Sequence, residues 1–280
     1  MRWLVTGARG MLGTDVVARL AGRDVTAAGS AELDVRDAAA VDAAVRGHNV
    51  VVNCAAWTAV DDAEDREAEA FALNAVAPAT LAAAAVRHGA RLVHVSTDYV
   101  FDGAADAPYA EDALPAPRSA YGRTKAAGEW AVRAVAPDAL VVRTAWLYGA
   151  HGGCFPRTIA RLAAERGGVD VVDDQVGQPT WTADVADLLV RLVEVAAPAG
   201  AYHATSSGQV TWFGFAREVV AAAGLDRALV RPTTSAAFVR PAVRPAYSVL
   251  GHDRLAAVGL EPIADWRDRW AAAAGDVLAG

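Results

Sequence analysis

Arg2-Trp3-Leu4-Val5-Thr6-Gly7-Ala8-Arg9-Gly10-Met11-Leu12-Gly13 is the stretch on which the fold turns. Arg2–Thr6 reads as a short buried strand, and Gly7–Gly13 opens a helix expected to reach Leu20. A strand, a glycine-rich turn and a helix together make a phosphate cradle. Glycines let the backbone approach a pyrophosphate, which sits where the free N–H groups and the dipole of a helix start favour an anion. The spacing is G-x-x-G-x-x-G rather than the G-x-G-x-x-G of long-chain dehydrogenases. A glycine motif alone is a weak signal, and its place after the first strand of the chain gives it weight. Gly7, Arg9, Gly10, Met11, Leu12 and Gly13 are therefore candidate cofactor-binding residues.

Working outward, Asp24–Gly29 reads as the second strand. Folds that prefer NAD usually end this strand on an acid that holds the ribose 2′-OH. Here no acid comes before Glu32, and Arg9 is placed to meet a 2′-phosphate, so NADPH is expected, with NADH tolerated. Asp34 and Val35 are expected at the adenine end, Asp34 otherwise serving as a helix or turn cap. Asp37 is expected to cap a helix ending at Gly47. Val50–Cys54 is a continuous apolar strand of the parallel-sheet kind. It leads into Ala55, Ala56 and Trp57, where a flat cofactor can lie. Asp61, Asp62, Glu64 and Asp65 read as the solvated first turn of a long helix pair that ends near Gly89. Arg91–Val95 is a further strand, ending in Ser96-Thr97-Asp98-Tyr99, and Leu140–Arg143 runs into Thr144-Ala145-Trp146.

Strand and helix alternate strictly to Gly149, which implies an α/β fold: a doubly wound parallel sheet of Rossmann type. Ligands of such sheets bind beyond the carboxyl ends of the strands. Gly7–Gly13, Ala55–Thr58, Ser96–Asp98 and Trp146 all fall there. After Gly149 the rhythm loosens. Expected are a helix over Phe155–Arg166, a strand over Val169–Val172, a helix capped by Thr182, a strand over Ala201–Thr205, a helix capped by Thr211, an extended Arg231–Phe238 and a last helix near Asp265–Leu278. This gives a dinucleotide-binding domain over 1–150 and 174–206, and a smaller discontinuous substrate-binding cap over 151–173 and 207–280.

Ser119–Val135 is expected to be the helix that carries Tyr121 and Lys125. Lys125 is the only lysine among 26 basic residues, the others being arginine. That points to a site needing a compact ammonium rather than a planar guanidinium. Four apart on a helix, Tyr121 and Lys125 share a face. A nearby cation favours the phenolate and should lower the Tyr121 pKa, fitting it to pass a proton to or from a substrate oxygen. An ordinary surface pair has the same spacing.

The bulk numbers exclude several classes. With 280 residues, 54% hydrophobic and 21% charged, the chain has ample core. A net charge of −7 without a basic block argues against a nucleic-acid partner. No run of about 18 apolar residues is expected to span a membrane, and the stretch before Gly7 is too short for a signal h-region. Cys54 and Cys154 lack metal-ligand spacing and read as packed thiols in a reducing cytoplasm.

Together these residues resemble the extended short-chain dehydrogenase/reductases and, more narrowly, the dTDP-4-dehydrorhamnose reductase family, over nearly the whole chain. Gly7–Gly13 and Tyr121…Lys125 look like the superfamily marks. Ser96–Gly103, Arg143–Gly149, Asp174–Thr180 and Arg244–Leu250 look like the narrower ones. The resemblance implies hydride transfer from NADPH to the C4 ketone of a dTDP-6-deoxyhexulose. Tyr121 would give the proton, Lys125 would hold the nicotinamide ribose and tune Tyr121, and Thr97 would hydrogen-bond the carbonyl. Substrate contacts are implied for Val60, Asp61, Thr97, Asp98, Tyr121 and Trp146. Some members use Mg²⁺ with glutamates at a dimer contact; this chain has Asp15 after the glycine turn and Thr182-Ala183-Asp184 without a Glu. No intrinsic metal site is expected, and dependence on Mg²⁺ is left open, as is monomer versus homodimer. The related 4,6-dehydratases carry Thr-Asp-Glu, whereas Thr97-Asp98 is followed here by Tyr99. A 4-epimerase shares the Thr/Tyr/Lys set and stays open as an alternative. A non-catalytic NADP-binding subunit, like the beta subunit of methionine adenosyltransferase, is disfavoured by the retention of all three residues.

Overall fold

The computed structural model describes residues 1–279. Six strands, β1 (Arg2–Thr6), β2 (Asp24–Ala28), β3 (Val50–Asn53), β4 (Arg91–Thr97), β5 (Leu140–Thr144) and β6 (Gly200–His203), form the central sheet. Their order is β6-β5-β4-β3-β1-β2, and every pairing is parallel. β3 and β5 are buried at every position, as strands covered on both faces must be.

Eight longer helices accompany the sheet: α1 (Met11–Arg19), α2 (Ala38–Val45), α3 (Glu67–His88), α4 (Ala120–Val135), α5 (Phe155–Arg166), α6 (Thr182–Glu194), α7 (Trp212–Ala222) and α8 (Trp266–Ala279). Side chains alternate across a strand, so each strand feeds two cores. On one face Val5, Val52 and Val142 pack with Leu12 and Val16 of α1 and Val185 and Leu189 of α6. On the other, Leu4, Val51, Leu92 and Val141 pack with Val41 of α2, Leu81 and Ala85 of α3 and Val132 of α4. From β1 the chain winds out to β2, then returns to β3 on the other side. The switch between β1 and β3 opens a crevice at the carboxyl ends, where such sheets hold ligands.

A separate cluster gathers Ile159 and Ala163 of α5, Phe215 and Val219 of α7, and Trp266 and Trp270 of α8 around Tyr148. Two small pairings lie here: Val169–Val172 with Val230–Thr233, and Val176–Gly177 with Val210–Thr211.

Local expectations hold in some places and fail in others. The Asp37 carboxylate accepts from the N–H groups of Ala39 and Ala40, capping α2, and Thr211 caps α7 by accepting from Gly214. Thr182 is not a cap: it is the first residue of α6, and its hydroxyl donates to the Tyr148 carbonyl. Arg231–Phe238 is extended only to Thr233, then turns over Ser235–Ala237. α3 also corrects the view that no run is apolar enough to cross a membrane. By length and composition its 22 residues qualify, an 18-residue stretch of them having a mean hydropathy of 1.4, yet half of that stretch is buried within the protein. Alanine supplies both the hydropathy and the close packing of a core helix.

Candidate active site

The crevice holds a groove of ≈ 540 Å³. Of the residues expected at the cofactor, Gly7, Arg9, Gly10, Asp34, Val35, Ala55 and Ala56 line it. Its glycines are forced by proximity. Gly7 has φ 65°, and a Cβ there would sit 2.6 Å from the Ala55 nitrogen; one on Gly13 would sit 2.2 Å from the Gly7 carbonyl oxygen. Gly10, by contrast, faces open space apart from that same carbonyl at 3.3 Å. Gly10 also starts α1 without a side-chain cap, leaving the first N–H groups of the helix for an anion. Leu12 is a core residue, and Met11 packs towards the cluster around Tyr148. Trp57 lies outside the groove lining, its N–H held by the Asn74 side chain at 2.8 Å.

Sequence reading missed Gly29, Ser30, Leu33, Arg36, Cys54 and Leu73 in the lining. Arg36 had a local signal, being two residues beyond Asp34. The two are joined by paired hydrogen bonds of 2.9 and 2.8 Å, and Arg36 holds the Asp34 carboxyl down at about 2. Asp34 also accepts from the Arg36 N–H, the turn cap that was its other reading. Arg9 is not a free cation either. It pairs with Glu32 at 3.0 Å, while the second Glu32 oxygen accepts from the Gly29 N–H. A 2′-phosphate arriving here would have to compete with these two carboxylates.

The catalytic candidates come together at the ends of β4 and α4. Ser119 caps α4 by accepting from Gly122, and Glu64 accepts from the Ala120 N–H. Gly122 lets the helix press on the turn after β4, since a Cβ there would lie 2.2 Å from the Tyr99 carbonyl. Gly128 does the same against Asn74. Tyr121 is thereby buried beside Thr97 and Tyr99, its ring edge-on to Tyr99 at 5.5 Å. Lys125 lies one turn on, fully inside, and donates to the Val95 carbonyl at 2.7 Å. Thr97 donates to Asp98 at 2.8 Å and accepts from the Tyr99 N–H, so it is a strand-end cap as well as a neighbour of Tyr121.

The electrostatics correct one expectation. Burial raises the Tyr121 pKa; the hydrogen bond with Thr97 opposes it and the Asp98 charge adds to it, with no lowering from Lys125. The ammonium is turned to the Val95 carbonyl, and burial lowers its own pKa to about 8 against the opposing pull of Glu129. Tyr121 is therefore protonated at neutral pH, the form a proton donor needs. Burial raises Asp98 to about 6, although the Thr97 and Ser248 hydroxyls beside it favour the charge. Beneath the site, Arg143 of β5 makes a bidentate pair with Glu129 of α4, both 1% exposed, and also donates to the Glu111 carbonyl.

Val60, like Trp57 and Tyr99, packs against a small cluster of Ala63, Ala70, Ala120 and Tyr121. Asp61 is not a solvated first-turn acid. The helix begins only at Asp62, and both Asp61 oxygens accept from Arg244 at 2.9 Å. Trp146 has φ 48°, and its ring stacks on Trp212 at 3.6 Å while covering Gly177. The ring face that lies on Trp212 is thereby taken. Asp184 pairs with Arg269, and Asp15 lies 3.6 Å from His151; among the described residues no group of three or more His, Cys, Asp or Glu is placed to hold a metal.

Comparison with known proteins adds to this geometry. A family model described as the RmlD substrate binding domain matches residues 1–278. The chain is 54% identical over 275 residues to a dTDP-4-dehydrorhamnose reductase of Streptomyces griseus, covering 95% of this chain and 90% of that one. It is 49% identical over 270 residues to a dTDP-4-keto-6-deoxy-D-glucose reductase of Streptomyces niveus, covering 95% and 93%. The crystal structure of a dTDP-4-dehydrorhamnose reductase from Bacillus anthracis, in complex with NADP, superposes with a TM-score of 0.92 at 35% identity, covering 95% of this chain and 96% of that one.

Proposed function

The chain belongs to the RmlD substrate-binding family, and from that premise we propose that it reduces the C4 ketone of a dTDP-6-deoxy-4-hexulose with NADPH. The observation that carries this reading is the gathering of Thr97, Tyr121 and Lys125 at the ends of β4 and α4, with the Lys125 charge reaching Cys54 of the groove lining. The relatives named above support the substrate class, and the NADP complex of the B. anthracis protein supports the nicotinamide cofactor. The residues present fit that group. Gly10 and the uncapped start of α1 suit its diphosphate, the Ala55–Ala56 wall suits a flat ring, and Arg9 and Arg36 lie at the 2′ end.

Bound there, NADPH supplies the hydride that converts the C4 carbonyl carbon into a carbinol carbon. Negative charge then develops on the carbonyl oxygen, and this chain must meet it. Thr97 would orient that oxygen by turning its one hydroxyl proton from Asp98 to it. Tyr121, held protonated by burial, transfers its hydroxyl proton to it, and the product leaves as the neutral alcohol. Lys125, turned to the Val95 carbonyl in the free protein, would lower the cost of the resulting buried phenolate only once it swings from that carbonyl towards Tyr121. Asp98 and Val60 border the place where the sugar would lie. Residues 1–150 and 174–206 would serve the cofactor, and 151–173 with 207–280 the sugar nucleotide.

Incubation with NADPH and dTDP-6-deoxy-L-lyxo-4-hexulose, with NMR of the product, tests the reading. Stoichiometric NADPH oxidation with formation of a C4 alcohol supports it. Interconversion of 4-epimers without net NADPH consumption would replace it with an epimerase.

A further inference from the structure

The segment Ser235–Pro245 runs as a strap between two anchored ends. At one end the Ser235 N–H and hydroxyl donate to Asp174, and its hydroxyl accepts from Gln175. At the other, Pro245 packs on Gly103, and the Tyr247 N–H donates to the Gly103 carbonyl. Between these ends the strap has little to hold it. Phe238, Val239 and Val243 are half or more exposed, and Ala242 alone in that stretch is buried. Its tether is one carboxylate: Asp61 takes both guanidinium nitrogens of Arg244 at 2.9 Å and the Ala242 N–H at 3.2 Å, with Arg240 at 3.9 Å.

That tether is next to the chemistry. Val60, one residue before Asp61, packs on the small cluster of Ala63, Ala70, Ala120 and Tyr121, as Tyr99 does. Val243 and Pro245 close a small pocket with Tyr99 and Ser119, the cap residue of the Tyr121 helix. The charges of Arg244 and Asp61 both reach the Tyr99 hydroxyl, in opposite senses. Burial works against the Asp61 charge, but Arg244 and the Ala242 N–H outweigh it and hold the carboxyl ionised below its ordinary range.

We propose that Asp61 is a positioning residue whose ion pair with Arg244 latches the 235–245 strap over the substrate side of Tyr121. This rests on the reductase reading for its substrate and on geometry alone for the latch. The pair acts on sugar-nucleotide binding and leaves the cofactor groove untouched, because no strap residue lines that groove. The bidentate geometry makes it specific to arginine; lysine offers one donor at a time.

Two measurements separate the latch from the substrate assignment. Chymotrypsin cleavage after Phe238 reads strap release without any substrate; trypsin is blind here because Arg240 and Arg244 each precede proline. Asp61→Asn and Arg244→Ala should each be cut about fivefold or more faster than the parent. The double variant should be no faster than either single one, and Arg244→Lys intermediate. Equal rates in parent and Asp61→Asn, or additive effects in the double variant, would overturn the latch whatever the enzyme reduces. In the kinetic arm, Asp61→Asn should raise KM for the 4-keto sugar about tenfold with KM for NADPH within about twofold. A parallel rise in both KM values, or none in either, would overturn the proposed role. Failure of the parent to reduce the sugar would instead overturn the reductase reading, and the proteolysis arm would still decide the latch.

Discussion

The glycine-walled groove and the strap across Tyr121 are built on opposite principles. The groove rests on backbone against backbone: Gly7 against Ala55 in its wall, and Gly13 against Gly7 just behind it. No methyl group can be added at Gly7 or Gly13 without moving main chain. The strap is side chain against side chain, hung on one half-exposed carboxylate with its apolar residues facing outward. A rigid surface suits a dinucleotide whose outline hardly changes between its reduced and oxidised forms. A tethered strap suits a sugar nucleotide that must enter and leave.

The largest expected effect tests what both sides serve. Tyr121→Phe removes the proton donor while keeping the ring that packs on Val60 and Tyr99, so turnover should fall about 10²- to 10⁴-fold with NADPH binding intact. Steady-state kinetics beside a cofactor titration checks this, and unchanged turnover would remove Tyr121 from its role. Next comes the pH response. Burial lowers Lys125 to about 8, so its cation is present below that pH and lost above it. If the ammonium swings from the Val95 carbonyl to the phenolate during turnover, that support is lost with the cation, and kcat should fall about tenfold per pH unit on the alkaline side. A profile flat to pH 10 would contradict it.

Asp98 gives a stability effect with a definite sign. Its folded pKa, raised to about 6, stands above the ordinary 3.8, so the stability tied to its protonated form is full below about 3.8 and lost as pH rises through 6. At pH 7 the ionised, buried carboxylate carries the whole penalty. Asp98→Asn should therefore unfold later at pH 7, by on the order of 2–3 kcal/mol, and match the parent near pH 4. Denaturant melts at the two pH values measure it. Gly13→Ala and Val239→Ala then sharpen the contrast directly. The added methyl meets the Gly7 carbonyl and should cost ~1–3 kcal/mol along with NADPH affinity. Trimming Val239, 84% exposed on the strap, should stay within about 0.5 kcal/mol.

The same contrast explains what was legible in the sequence. Strand Arg2–Thr6, the Gly7–Gly13 turn and the Ser119-capped helix are local features, set by burial, backbone freedom and a cap within a few residues. The groove could be read because its lining is mostly consecutive chain at strand ends. The Asp61–Arg244 pair spans 183 positions, and no local spacing points from one to the other. Asp61 thus read as one more acid on a solvated turn. Trp146 was legible as an aromatic at a strand end, but its stacking on Trp212 depends on how two distant segments meet. The Tyr121 pKa went the wrong way for a related reason. Helical spacing gives the neighbour, while burial and the Val95 carbonyl decide where the ammonium points.

The most direct test of the account follows the hydrogen itself. NADPH carrying deuterium in its transferable position is incubated with the 4-keto sugar nucleotide, and the product is read by NMR. The account predicts one deuterium at C4 for each NADPH oxidised, and a large loss of that product with Tyr121→Phe. A 4-epimer without deuterium, or deuterium at any other carbon, would contradict it.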